Sequence, residues 1–410
     1  MDTNSNQARR VVIGITAHVD AGKTTLAEAM LYRTGRLRKL GRVDHGSAAM
    51  DSHLLERERG ITIFSSQAEL PIGNLEVTLL DTPGHVDFSA EMERTLSVLD
   101  YAILVISGAD GVQAHTRTLW RLLELYRIPT FLFVTKMDFG RCDREQMMEH
   151  LCHELGEGCV DFTPADRERR MEQLATCRED ALEAYLDGGE VPDALVRQLV
   201  GRRLVFPCWF GSGLKLEGID EFLEGLARYV EPPVYPETFS ARVFKISHDP
   251  QGKRLTHLKV TGGTLRAKMQ LPCGKADQLR LYSGAKFRPL DEAGAGEVVA
   301  FTGLADTYPG QGLGAEADGE KPVLQSVLTY RILLPDGTDA HTVLPKLREL
   351  EDEDPMLRIV WEEASGELHA ELMGEVQLEI LQRLISDRFG LSVTFGEGSI
   401  VYKEAIANTV

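Results

Sequence analysis

The chain has 410 residues, 43% of them apolar and 26% charged, with 45 Lys and Arg against 63 Asp and Glu and a formal net charge of −18. That balance excludes wholesale disorder and argues against a protein that coats DNA non-specifically, and six cysteines do not make a disulfide scaffold. No apolar run approaches the ~20 residues of a membrane-spanning helix, so the expectation is a cytoplasmic protein with reduced thiols, of two to four domains at about 150 residues each.

Five short apolar runs come first: Arg10–Thr16, Leu75–Leu80, Tyr101–Ile106, Pro129–Val134 and Leu204–Cys208. Helical patterns at Thr25–Arg33, Ser89–Leu99 and Thr116–Tyr126 lie between them. Continuous apolar strands alternating with helices predict a multidomain α/β chain whose first domain, 1–236, is a parallel sheet with helices on both faces. Ligands bind such a sheet beyond the carboxyl ends of its strands. Residues 139–203 are charged and helical and read as an insertion. Glu231-Pro-Pro-Val-Tyr-Pro236 reads as a linker, because so many prolines fit neither helix nor central strand. Short strands with many glycines over 237–320, such as Ala241–Ile246, Leu255–Thr261 and Glu297–Phe301, predict a β-barrel. Over 321–403 the order β-α-β-β-α-β predicts a ferredoxin-like α+β domain: strand Leu324–Ile332, helix His341–Asp352, strands Leu357–Glu362 and Glu367–Leu372, helix Glu375–Phe389 stopped by Gly390, and strand Leu391–Phe395.

Ala17-His18-Val19-Asp20-Ala21-Gly22-Lys23-Thr24 has the spacing of a phosphate loop with Ala in place of the first Gly. It follows a predicted strand and opens a predicted helix, which is the context that turns such a spacing into a site. Backbone N–H groups of the loop and the helix start face phosphates, Lys23 reaches the β- and γ-phosphates, and the Thr24 hydroxyl takes Mg²⁺. Asp81-Thr-Pro-Gly84 ends the next apolar strand, where Asp81 can hold Mg²⁺ through water and the Gly84 N–H can meet the γ-phosphate. Thr135-Lys136-Met-Asp138 ends the fourth strand. The Asp138 carboxylate accepts two N–H bonds from guanine and repels adenine's acceptor edge, Lys136 can lie along the base, and Ser212-Gly213-Leu214 can close the pocket with backbone donors.

These residues resemble the translational GTPases, through Ala17–Thr25, Arg57-Glu-Arg-Gly-Ile-Thr-Ile63, Asp81-Thr-Pro-Gly-His-Val-Asp-Phe88 and Asp110-Gly-Val-Gln113. Gly41–Gly46 with Asp51–Arg57, Asp354–Arg358 and Gly374–Glu379 bring the chain nearest to tetracycline-resistance ribosomal protection proteins and their elongation factor G-like relatives. The resemblance implies a P-loop GTPase domain, a β-barrel domain and a ferredoxin-like domain. It implies GTP/GDP and Mg²⁺ as cofactors, with Thr24, Thr62 and Asp81 at the metal and Lys23, Thr62 and His85 in catalysis. Nucleotide-binding residues carried over include Thr25 beside those above. Thr62 would ligate Mg²⁺ only with the γ-phosphate present, and His85 would orient the attacking water, flanked by Val19 and Ile61. No arginine finger is assigned. Arg57 and Arg59 are expected to pair with Glu56, Glu58 or a partner's phosphate. The implied partner is the ribosome, its RNA and proteins, for a monomeric protein that binds neither DNA nor membrane.

Two features depart from the family pattern. Thr135 stands where the family has Asn, so pocket hydrogen bonds worth about 1 kcal/mol each are expected to be lost and Thr135→Asn to tighten nucleotide binding. Val401–Val410 resembles entry to a fourth domain, with residues 404–410 as its start, and the chain is expected to be truncated there. Cys142, His150, Cys152, His153 and Cys159 match no zinc spacing and read as ordinary thiols and histidines, and Trp120, Trp209 and Trp361 read as core. The leading expectation is a ribosome-stimulated GTPase of the ribosomal protection type. The alternatives are an elongation factor G-like general factor, a nucleotide switch with vestigial hydrolysis, and an ATP-using enzyme, against which Asp138 argues.

Overall fold

The computed structural model describes residues 9–41, 50, 54–59, 61–139, 143–163 and 167–401, apart from the side chains of Leu54 and Arg57. The first unit runs, in chain order, β1 (Arg9–Ala17), α1 (Lys23–Arg33), α2 (Leu54–Arg59), β2 (Ser66–Ile72), β3 (Leu75–Asp81), α3 (Ser89–Leu96), β4 (Tyr101–Ser107), α4 (Ala114–Leu125) and β5 (Thr130–Thr135). It continues with α5 (Arg144–Leu155), β6 (Cys159–Asp161), α6 (Arg167–Thr176), α7 (Glu179–Gly188), α8 (Asp193–Gly201), β7 (Phe206–Phe210) and α9 (Ile219–Tyr229). The strands form one seven-stranded sheet in the order β2-β3-β1-β4-β5-β7-β6. All neighbours are parallel except β2, which runs antiparallel to β3 at the edge.

The five apolar runs become β1, β3, β4, β5 and β7. Their side chains alternate between two cores because successive residues of a strand point to opposite faces. Phe131 and Phe133 of β5 join Leu26, Met30 and Phe222 on one face. Leu132 and Val134 join Leu119, Leu123 and Leu151 on the other. The stretch 139–203 departs from a simple helical insertion. Helix α5 buries Met147, Met148, Leu151 and Leu155 among the sheet's own cover. The chain then adds β6, only three residues long, to the sheet edge beside β7. A strand that short has no legible period, and its pairing partner lies some fifty residues further on. The edge strand β2 is equally illegible in the sequence, because Ser66, Gln67 and Glu69 break its apolar pattern and Pro71 is tolerated only at an edge.

The second unit is antiparallel. Ser240–His248, Arg254–Gly262, Leu279–Ser283, Lys286–Leu290, Val298–Phe301 and Gly312–Gly314 form a six-stranded sheet. Two-stranded ribbons, Thr264–Arg266 with Glu292–Gly294 and Gln270–Leu271 with Gly274–Lys275, accompany it. The third unit has strands Leu328–Leu333, Val360–Glu362, Glu367–Leu372, Thr394–Phe395 and a short Ser399–Ile400 that also pairs with the first, with helices α10 (Ala340–Glu353) and α11 (Glu375–Phe389). In its sheet the second strand lies outside the third, the third beside the first, and the first beside the fourth, all antiparallel, which is the ferredoxin-like arrangement. Gly390 ends α11 at φ 66°, a left-handed stop that glycine adopts without strain.

The units dock through part-buried ion pairs and a histidine–carboxylate contact. Lys259 of the second unit meets Asp100 at 2.5 Å. His248 and Arg254 of the second unit meet Glu353 and Asp352 of α10, both at 2.6 Å. Trp120 and Trp209 lie in the sheet cores, whereas Trp361 is half-buried against His341, 5.2 Å between ring centres.

Candidate functional site

The turn from β1 to α1, residues 18–22, lies beyond the carboxyl end of β1. Two residues there have positive φ, Asp20 at 60° and Gly22 at 94°. Gly22 is also confined for space, because a Cβ would come within 3.3 Å of the Thr135 hydroxyl. Such a turn aims successive backbone N–H groups into one concavity at the helix start. The Gly84 turn packs directly behind it, and a Cβ at residue 84 would sit 3.2 Å from the Ala17 carbonyl.

Lys23, the first residue of α1, is buried, and its ammonium donates to the Thr62 hydroxyl at 3.0 Å and to the Asp81 carboxylate. Asp81, at the end of β3, is fully buried, and Thr62 is 5% exposed. One cation and two oxygen acceptors, 39 and 58 residues away in sequence, therefore converge on a single point. Thr24 and Thr25 follow in the first turn of α1, half-buried. A buried Glu56 on α2 accepts from the N–H groups of Ile63 and Phe64 at 3.0 Å, which fixes the segment that presents Thr62.

A second group forms where β5 and β7 end. Asp138 lies against the Ser212 hydroxyl, with Lys215 at 3.5 Å. Burial raises its pKa, but the Ser212 bond, its own N–H and Lys215 outweigh this and leave it below the usual carboxylate value. Lys136 sits at φ 59°, its ammonium 3.9 Å from Asp110. The Gly213 backbone presses on α1, where a Cβ would stand 3.2 Å from the Thr25 carbonyl, and Leu214 is exposed. Thr135 is buried and its hydroxyl donates to the Ala21 carbonyl, so the side chain joins β5 to the turn before α1. One short hydroxyl reaches the nearest acceptor and has no second proton to offer.

His85 follows Gly84, and its Nδ1 accepts from the Asp87 N–H at 3.2 Å. Phe88 lies edge-on to its ring, 6.1 Å away. Ile61 packs with Phe88, and the Val19 backbone lies behind Gly84. Sequence reasoning missed two neighbours. His115, in the first turn of α4, is buried 6.0 Å from the His18 ring, and burial with help from His18 and His85 lowers its pKa to about 4. Asp87 reaches the third unit. An acid two places past a histidine carries no local signal for such a contact. Arg59 pairs with Glu379 of α11 at 2.7 Å, not with Glu56 or Glu58. Most of the stretch Gly41–Gly46, Asp51–His53, Gly60 and the chain from residue 402 on lie outside the described residues, as do Cys142 and the Arg57 side chain. His150 takes the Val112 N–H, and Cys159 is buried.

The first unit, residues 8–232, matches the elongation factor Tu GTP binding domain, more than half of the chain. Residues 238–313 match elongation factor G domain 2 and residues 323–397 match elongation factor G domain III. The chain is a translational GTPase. It is 30% identical to elongation factor G 2 of Syntrophus aciditrophicus over all of its own length and 72% of that protein's. It is 34% identical to the oxytetracycline resistance protein of Streptomyces rimosus, over 93% of this GTPase and 64% of the relative. The tetracycline resistance protein TetP of Clostridium perfringens is 31% identical over 96% and 65%. A crystal structure of a Thermus thermophilus protein superposes with a TM-score of 0.84 at 26% identity, over 95% of this GTPase and 67% of that chain. The fold expected from the residues is therefore the fold found: a parallel-sheet GTPase domain followed by antiparallel β-rich domains. Among the described residues no helix is long and apolar enough to cross a membrane.

Proposed function

We propose that this GTPase is a cytoplasmic, monomeric translation factor of the ribosomal protection type, which hydrolyses GTP to GDP and phosphate when it meets the ribosome. The observation that supports this reading is the convergence of Lys23, Thr62 and Asp81. The division into domains at residues 236 and 320, with the chain after 403 belonging to a further one, is part of the same reading.

The turn Ala17–Gly22 cradles the phosphates with backbone donors. Lys23 exchanges Asp81 and Thr62 for β- and γ-phosphate oxygens. The donor set left behind suits a hard divalent cation, being two hydroxyls and a carboxylate. Thr24 and Thr62 would hold Mg²⁺ directly and Asp81 through water, and the ion when bound neutralises phosphate charge. Asp138 accepts from guanine, Lys136 lies along the base, and Ser212 to Leu214 close the pocket. Thr135 holds that pocket to the phosphate turn. His85 orients the attacking water. Its Nδ1 already meets the Asp87 N–H, which leaves Nε2 as the ring nitrogen to face the water. Loss of the γ-phosphate releases Thr62 and the segment behind it.

The test is GTP turnover by the purified chain with and without ribosomes, and displacement of labelled GDP by GTP and by ATP. Stimulation of turnover and preference for GTP are expected. Turnover that ribosomes leave unchanged returns the chain to a binding switch, and equal displacement by ATP removes Asp138 from its role.

A further inference from the structure

The loop that carries His85 is anchored from outside the GTPase unit. The Asp87 carboxylate crosses to the start of α11, where Oδ2 accepts from the N–H of Val376 at 2.9 Å and of Gln377 at 3.3 Å. Those amides belong to the first helical turn and have no partner within the helix. A carboxylate placed there also meets the positive end of the helix dipole. Gly374, just before α11, makes room for it: a Cβ would stand 2.4 Å from both carboxylate oxygens. Its backbone is fully extended, so the requirement is space and not conformation.

Within its own loop Asp87 holds His85. Its N–H donates to Nδ1 at 3.2 Å, and its Oδ1 lies 3.5 Å from the same nitrogen. An apolar cluster seals the contact, with Phe88 packed on Leu55, Ile63 and Ile380 of α11. A single residue thus touches the imidazole with its backbone and the third unit with its side chain.

We propose that Asp87 is a positioning residue for His85, set by the docking of α11. The inference rests on the reading of His85 as the group that orients water. Docked, α11 pins the Asp87 carboxylate, which fixes the backbone N–H that the imidazole accepts from. A shift of α11 moves the imidazole relative to the phosphate turn, and so a contact in the third unit changes hydrolysis without touching nucleotide.

The experiment uses the whole chain and two readouts, single-turnover GTP hydrolysis and equilibrium binding of a non-hydrolysable GTP analogue. Asp87→Ala lowers the single-turnover rate by about tenfold while the analogue's Kd stays within about twofold, because it misplaces a group that acts on the attacking water and not on bound nucleotide. Asp87→Asn, whose amide oxygen still accepts from Val376, recovers most of the rate. Gly374→Ala displaces the carboxylate and gives a similar loss, and the double variant is no slower than either single one, because both cut one link. An unchanged single-turnover rate in Asp87→Ala, or losses that multiply, overturns the proposal. In a His85→Ala background Asp87→Ala has no further effect, and an effect that persists there overturns the positioning role. If His85→Ala itself turns over GTP like the parent chain, the reading of His85 is what fails. Amide exchange reads the link without turnover. The Val376 and Gln377 amides exchange differently in the GDP and analogue complexes of the parent chain and alike in Asp87→Ala; identical exchange in the parent's two complexes overturns the proposal.

Discussion

Lys23 is a buried cation whose partners, Asp81 and Thr62, are themselves buried. Removing one member of such a set strands the other charge in a low dielectric, at about 3 kcal/mol. Lys23→Met is therefore expected to lower unfolding stability by about that amount in a denaturant titration. It should also weaken GDP binding by at least a hundredfold, about 2.7 kcal/mol, measured by calorimetry. Thr135 makes a smaller contribution through a different bond. Thr135→Val keeps the shape but leaves the Ala21 carbonyl without its donor, so a loss of about 1 kcal/mol is expected in stability, with a weaker GDP Kd. Thr135→Asn tests the same position from the other side: it tightens GDP only if its longer amide still reaches Ala21 while offering a group to the base.

At the scale of elements, three units meet on a chain of charges that runs beside the His85 loop. Lys245 of the second unit bonds the Ser65 carbonyl at 2.8 Å and pairs with Glu91 of α3 at 3.1 Å. Arg94 of the same helix bonds Glu91 and Asp354, both at 2.8 Å, and Gln377 of α11 donates to Asp354 at 3.1 Å. Burial pushes the Glu91 carboxyl up, but Lys245, Arg94 and the Ser65 bond together hold it well below the ordinary range. A depressed carboxylate stabilises the fold above its unfolded pKa, and that contribution is lost as the pH falls through the folded value. Glu91→Gln is expected to cost about 3 kcal/mol at neutral pH by leaving Lys245 and Arg94 underpaired. Its thermal stability should then fall less steeply than the parent's below pH 4.5, the ordinary value for that carboxyl. Parallel acid profiles for the two proteins would show that the network carries no such energy.

For the molecule as a whole, two histidines, His115 buried and His257 half-buried, contribute to the acid side of the stability curve. Burial, with His18 and His85, lowers His115 to about 4, and burial with Lys245 lowers His257 to about 3 against an opposing Glu91. The unfolded chain takes up a proton on each near the ordinary value of 6.5, which the folded chain refuses until far lower pH. The unfolded state therefore holds more protons in that window, and stability falls on acidification by about 1.4 kcal/mol per pH unit for each histidine. Unfolding titrations between pH 6.5 and 4.5 should show that slope shrink by one proton in His115→Gln and again in His257→Gln. Nucleotide acts on the same balance, since a ligand that binds only the folded chain at a hundred times its Kd adds about 2.7 kcal/mol. A melting temperature that GDP leaves unmoved at that excess would count against the pocket.

What could be read from residues alone was whatever is local. The strands at 10–16, 75–80, 101–106, 129–134 and 204–208 stand out because a strand buried on both faces is apolar throughout. Helix 375–389 and its stop at Gly390 follow from periodicity and a left-handed glycine. The order of the motifs, each at a strand's carboxyl end, placed their residues on one edge of the sheet, because a parallel sheet puts those ends together. β6, the inward turn of α5 and the hydroxyl bond of Thr135 were hidden, being too short or dependent on what packs above. So was Asp87, whose partners lie 289 and 290 residues away. Sequence specifies which groups are present and how each segment curls. Which of them touch across domains depends on how separately folded surfaces dock, and only the tertiary structure decides that.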